Sequence, residues 1–153
     1  MVIQGVSFVV EGSTSYPGSL AARCLGIRTA DVVKVARRLQ GGLPYDALKR
    51  LQRRSGLSLE AIRTVMQIPR RTLARRRNQG KLTPRESERL YRLAVVFEKC
   101  VELFEGDIDA ARSWLDAPNK ALAGHSPLAM AEMEIGAREV EDLIGRLEHG
   151  VFT

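Results

Sequence analysis

Five arginines stand among the eight residues 70–77, RRTLARRR, with Thr72 inside the run and Gly80 just beyond it. A guanidinium is planar, permanently charged and presents its donors as a fork. It therefore suits phosphate oxygens and the O6/N7 edge of guanine. That is the chemistry of binding an anionic polymer. Groups able to make or break bonds are sparser. His125 and Ser126 are sequence neighbours with no third group to orient them, and Ser126 before Pro127 is accounted for as a helix N-cap. Cys24, Cys100, His125 and His149 lack the spacing of a zinc site. Asp107 and Asp109 suit the positive end of a helix, and no phosphate-cradling glycine loop occurs. The expectation is a protein that binds, without catalytic residues, metal or cofactor.

The charge is unevenly spread. Residues 44–92 carry fourteen basic and four acidic residues, whereas residues 93–153 carry five and twelve, within a formal net charge of +6. A basic block followed by an acidic one suggests one surface for a polyanion and another for a different partner. Mutual attraction of the two halves is the simpler alternative, but it does not explain how the arginines are arranged.

A chain of 153 residues can build one sizeable core or two small ones. With 44% hydrophobic and 27% charged residues it has the composition of a folded protein. Two cysteines, one of them in the apolar run LAVVFEKCVELF, fit a reducing cytoplasm. The opening MVIQGVSFVV is interrupted by Gln4 and Ser7 and lacks the basic start of a signal peptide, and no stretch is long enough to span a bilayer.

The elements that must position the arginines follow from periodicity and punctuation. Gly, Ser and Pro cluster near residue 19, so residues 1–28 read as a flexible lead-in. Helical patterns begin at Thr29, a candidate N-cap, and at Pro44, with Leu48 and Leu51 on the inner side and Gly56 as a stop. Ser58–Gln67 has an inner stripe of Ile62, Val65 and Met66. Pro69–Gln79 contains one large apolar residue, Leu73, so it can bury only a narrow edge. Thr83, Pro84 and Glu86 stand in capping-box order before the stripe Leu90, Leu93, Ala94, Phe97, Val101 and Phe104, the expected spine. A short helix before Pro118 and a final one or broken pair burying Leu143, Ile144 and Leu147 complete an all-α fold.

Two short helices joined tightly, the second exposed and arginine-rich, form a helix-turn-helix that lays its second helix in the major groove. Arg70, Arg71 and Thr72, near the helix start, are the candidates for base edges. Arg75, Arg76 and Arg77 are assigned to phosphates or to structural carboxylates. Arg63 and Gln67 occupy places where such motifs usually carry a small residue and often a glycine, which predicts an irregular turn.

Three further stretches, IPRRTLARRRNQGKLTPRESERLYRLA, ARSWLDAPNKALAGHSPLAM and GAREVEDLIGRLEHGVF, carry a resemblance to the Xre/MbcA/ParS antitoxins, the partners of RES-domain toxins. The likeness runs over roughly residues 43–153, and Ala123-Gly124 stands where many members have two glycines. The resemblance implies a helix-turn-helix domain that represses its own operon by binding operator double-stranded DNA, followed by a small helical toxin-binding domain. It also implies that the toxin degrades NAD and that the antitoxin's C-terminal region blocks its active-site cleft. The boundaries read as 1–28, 29–92 and 93–153. Loop residues Asn119, Gly124, His125 and Pro127, and the tail Glu148, His149, Gly150, Val151 and Phe152, are the candidate toxin-binding residues, while Trp114 is expected to pack. Half-site symmetry points to a homodimer within a larger toxin–antitoxin complex.

Two rival readings keep the basic helix and change the rest. A plain transcription regulator would use its acidic half to sense a ligand or to dimerise. A single-strand binder would want aromatic platforms, and only Tyr45 and Tyr91 lie near in a chain that is 5% aromatic.

Overall fold

The spine expected from the Leu90–Phe104 stripe is a single 20-residue helix, and every other layer is arranged around it. The computed structural model describes residues 18–150. Within them run α1 (Ser19–Cys24), α2 (Val32–Gln40), α3 (Asp46–Ser55), α4 (Leu59–Met66), α5 (Arg70–Gln79) and α6 (Pro84–Leu103). There follow α7 (Ile108–Asp116), a 3-10 turn (Lys120–Leu122), α8 (Pro127–Met130) and α9 (Glu134–Glu148). No strand occurs among the described residues; the one extended pairing is an isolated bridge between Pro44 and Lys81.

Local chemistry sets most of the ends. Ser58 accepts from the Ala61 N–H and starts α4, and Thr83 and Glu86 form a reciprocal capping box at α6. Gly56 and Gly80 stop α3 and α5 in the left-handed region, at φ 73° and 76°. The start of α2 differs from the expected Thr29 cap. Asp31 is the cap, accepting from the Val33 and Lys34 N–H groups, while Thr29 Oγ1 accepts from the Asp31 N–H and braces it. A carboxylate at a helix start adds a favourable dipole interaction that a hydroxyl lacks.

The largest difference concerns residues 18–28. Ala21, Ala22, Leu25 and Ile27 are buried, and α1 packs on α6 and α3. This part of the expected lead-in belongs to the core. Six residues show no readable period, and so short a helix is held by its neighbours and not by its own propensity. Expectations for residues 1–17, and for Val151 and Phe152, lie outside the described residues.

The boundary expected at 92/93 falls inside α6. That helix packs against α1, α2, α3 and α4 on the N-terminal side and against α7 and α9 on the C-terminal side. Leu90, Leu93, Ala94, Val96 and Phe97 are fully buried within it, so both halves share one hydrophobic core. Arg54 on α3 grips the buried Glu98 through two hydrogen bonds of 2.9 and 3.1 Å and lies over the Phe97 ring. Trp114 is half-buried with its ring centroid 6.3 Å from that of Phe104, a packing role.

Candidate functional site

The approach to α5 is built by the turn after α4. Gln67 takes the left-handed conformation, φ 56° and ψ 45°, where a glycine would be unstrained. Arg63 compensates: its Nη1 donates to the Ile68 carbonyl at 2.7 Å, and its fork holds Glu60 one turn earlier. Arg63 therefore lies along the turn and bridges it, instead of wedging the two helices apart. Arg89 on α6 donates to the Met66 carbonyl at 3.0 Å and fixes the same corner from below. Pro69, the N-cap of α5, offers no side-chain acceptor, so the amides of the first turn face outward uncapped, as an anion site requires.

The other end of α5 is pinned by main chain. Tyr45 N–H donates to the Gly80 carbonyl at 2.9 Å, Leu82 N–H to Leu43 at 2.8 Å, and Ser87 Oγ accepts from the Leu43 N–H at 2.7 Å. Gly42 sits in this crossing at φ 81°, and a Cβ there would stand 2.4 Å from the Leu82 carbonyl oxygen.

The five arginines of α5 are not equivalent. Leu73 is buried, and Thr72 and Arg76 are half-buried on the side facing the protein. Arg76 Nε donates to both Glu86 oxygens at 3.0 and 2.8 Å, with side-chain exposures of only 15% and 9% for the pair. Of the two roles left open for Arg76, the structure shows the carboxylate one: it ties the end of α5 to the start of α6. Thr72 is half-buried, less open than Arg71 and Arg75. Arg70 is 79% exposed and pairs with Glu60 at 3.1 Å, a contact so open to solvent that a phosphate can displace it. Hydrogen bonds from Arg63, then from Arg70, hold the Glu60 carboxyl down at about 2.

Because successive helical residues step by about 100°, burial of Leu73 and Arg76 leaves Arg71, Ala74, Arg75 and Asn78 as the outermost row, all exposed. Asn78 was not legible as a candidate. Its signal is spacing: it stands seven residues after Arg71, on a face that becomes visible only once the buried edge is known. Asn pairs bidentately with adenine as Arg does with guanine.

Burial raises the Glu86 carboxyl, but the hydrogen bonds from Arg76 and Thr83 outweigh it, leaving it below its ordinary 4.5. A depressed carboxyl contributes stability that is complete above its unfolded value and is lost as pH falls through the folded one. Glu86→Gln is therefore expected to lower the melting temperature at neutral pH and to flatten the loss of stability below pH 4.5. Thermal melts across that range check it.

In the C-terminal half, Asn119, Gly124 and His125 come together in one loop. Asn119 Oδ1 accepts from the Ala121 N–H, its carbonyl accepts from the Gly124 N–H, and its own N–H donates to the His125 carbonyl. Asn119 is half-buried and spends its groups closing this loop; Gly124 and His125 are exposed. Pro127 is buried as the first residue of α8, where it braces the loop. Ala123 takes φ 55° and Gly124 φ 87°, left-handed geometry at both positions where the resemblance places glycines. Glu148, His149 and Gly150 are exposed at the end of α9, with His149 Nδ1 2.7 Å from the Gly145 carbonyl. No group of His, Cys, Asp and Glu with the makings of a metal site occurs among the described residues. No helix among them is long and apolar enough to cross a membrane.

Comparison with known proteins places both parts. Residues 34–95 match the antitoxin Xre-like helix-turn-helix domain, and residues 100–150 match the antitoxin Xre/MbcA/ParS C-terminal toxin-binding domain. An antitoxin Xre of Photorhabdus laumondii is 37% identical over 116 residues, covering 75% of this chain and 78% of that one. The chain belongs to the Xre antitoxin family.

Two other family members fit more narrowly. An antitoxin Xre of Yersinia enterocolitica is 52% identical over 87 residues, 56% of this chain and 59% of its own length. One of Pseudomonas putida is 32% identical over 84 residues, 54% and 52% respectively. The chain thus spans little more than half the length of these two Xre antitoxins. The first family match ends at residue 95 and the second begins at residue 100, both inside α6, where the shared core joins the parts.

Proposed function

We propose that this chain neutralises a RES-domain, NAD-degrading toxin by binding it and represses its own operon by binding operator duplex through α5. The observation that carries the reading is the presence, on one core, of an arginine-faced helix-turn-helix and a domain of the toxin-binding family. Arg71, Arg75 and Asn78 read base edges, while Arg70, Arg77 and the first-turn amides of α5 meet phosphates. On the other side, Gly124, His125 and the exposed end of α9 lead the tail, with Val151 and Phe152, into the toxin cleft. Inhibition by occlusion needs no chemistry from the antitoxin. Twofold operator symmetry is met by a homodimer, in the cytoplasm where both DNA and NAD reside.

The test is cellular NAD and growth in a heterologous host producing the toxin alone, with the full chain, or with the chain ending at Gly150. NAD is expected to fall with toxin alone, recover with the full chain and stay low with the truncated one. Recovery with the truncated chain removes the tail from the mechanism. If no toxin of this class responds to the full chain, a DNA-binding regulator remains.

A further inference from the structure

The helix α2 and the linker before it carry a second concentration of positive charge that the recognition helix does not account for. Arg28, Lys34, Arg37 and Arg38 line one groove with Thr29, floored by the buried Ile27, and no carboxylate lines it. Among the described residues none of these four cations pairs with an acidic side chain, whereas Arg54, Arg63, Arg70 and Arg76 all do. The neighbouring carboxylate, Asp31, is committed to the Val33 and Lys34 amides. Burying only Val35 and Leu39, α2 presents three charged residues to solvent.

Lys81 stands between the end of α2 and the end of α5. Lys81 directly follows Gly80, the stop of α5, and its Cε lies 3.2 Å from where a Gly42 Cβ would stand, at the end of α2. Arg77 and Gly80 line a separate groove with Lys49 and with Asp46, whose carboxylate is paired with Arg50. Lys81 is thus a cation between the recognition helix and the end of α2, which carries Arg37 and Arg38 in its last turn.

We propose that the α2 groove is a second track for duplex DNA phosphates, holding the backbone beyond the stretch read by α5. The proposal rests on the DNA reading above. Duplex DNA fits better than an acidic protein because the groove gathers two forked guanidinium donors, Arg37 and Arg38, beside Arg28 and Lys34 with no carboxylate among them, and because Lys81 links it to the helix proposed to meet a polyanion. It contributes affinity without sequence preference.

The experiment uses the full chain and a random-sequence duplex, with the dissociation constant measured over rising salt. Lys34→Ala/Arg37→Ala/Arg38→Ala is expected to lower the salt slope by about 2 to 3 units, at about 0.9 per phosphate contact. A control removing three cations from the acidic half, Lys120→Ala/Arg138→Ala/Arg146→Ala, is expected to leave it within one contact's worth. Preference for operator over random duplex stays unchanged in both. An unchanged slope in the α2 variant, or an equal fall in the control, overturns the track. Loss of toxin binding or self-association with unchanged DNA binding overturns it too, in favour of an acidic protein partner. If wild type binds no duplex at all, the parent reading fails instead.

Discussion

Gly136→Ala is expected to destabilise the fold by about 3 kcal/mol, lowering the melting temperature by roughly 10 °C. Gly136 is buried in the first turn of α9, and a Cβ there would stand 2.0 Å from the Met130 carbonyl oxygen and 2.9 Å from its carbon. Both atoms are backbone, so relief cannot come from a rotamer change; α8 and α9 must move apart. That displacement is felt by Ala137, Val140 and Ile144, which seal α9 against α6. Gly145, on the same helix, has nothing within 4 Å of its Cβ position. Gly145→Ala is expected to be neutral or slightly stabilising, since alanine favours a helix interior over glycine. Paired thermal and urea melts decide this. Equal stability of the two variants would mean that α8 and α9 are not held at this distance.

Arg71→Ala/Arg75→Ala is expected to abolish most operator recognition while leaving the fold intact. Two bidentate base contacts are together worth about 2 to 6 kcal/mol, or roughly thirtyfold to twenty-thousandfold in affinity. Neither residue contacts the core, so stability should stay within about 0.5 kcal/mol of wild type. Asn78→Ala is expected to relax the preference at one adenine and to leave the salt slope unchanged, because it removes no charge. Arg70→Ala should cost less, since Arg70 must first release Glu60. Selection from a random duplex pool with each variant, followed by titration of the selected operator, separates these effects. Full operator affinity in the double variant would move the reading face to another side of α5.

A further contrast lies in the way α5 is held. Replacing Arg76 strands Glu86 at a buried capping box, so its loss should appear as instability first and weaker DNA binding second. Substitutions at exposed Arg71 and Arg75 should do the reverse.

Periodicity and punctuation alone determined the all-α class, the pairing of a support helix with an arginine-rich helix, the capping box at Thr83 and the stop at Gly80. These are local: a cap, a glycine or an apolar stripe acts within a few residues of itself. The order of motifs in the second half also made the family recognisable. Tertiary structure decided the rest. Residues 18–28 form part of the core because six residues of helix become stable only when α3 and α6 cover them. Pro127 is buried and Asn119 closes its loop because the loop folds back on itself, which composition cannot show. Arginine looks alike at every position in RRTLARRR, and only the direction of the buried edge sorts it. Leu73 and Arg76 face α6 and its neighbours, so Arg71, Arg75 and the overlooked Asn78 face out. Which side of a helix is buried depends on what packs against it, and for a helix with one large apolar residue that information lies elsewhere in the chain.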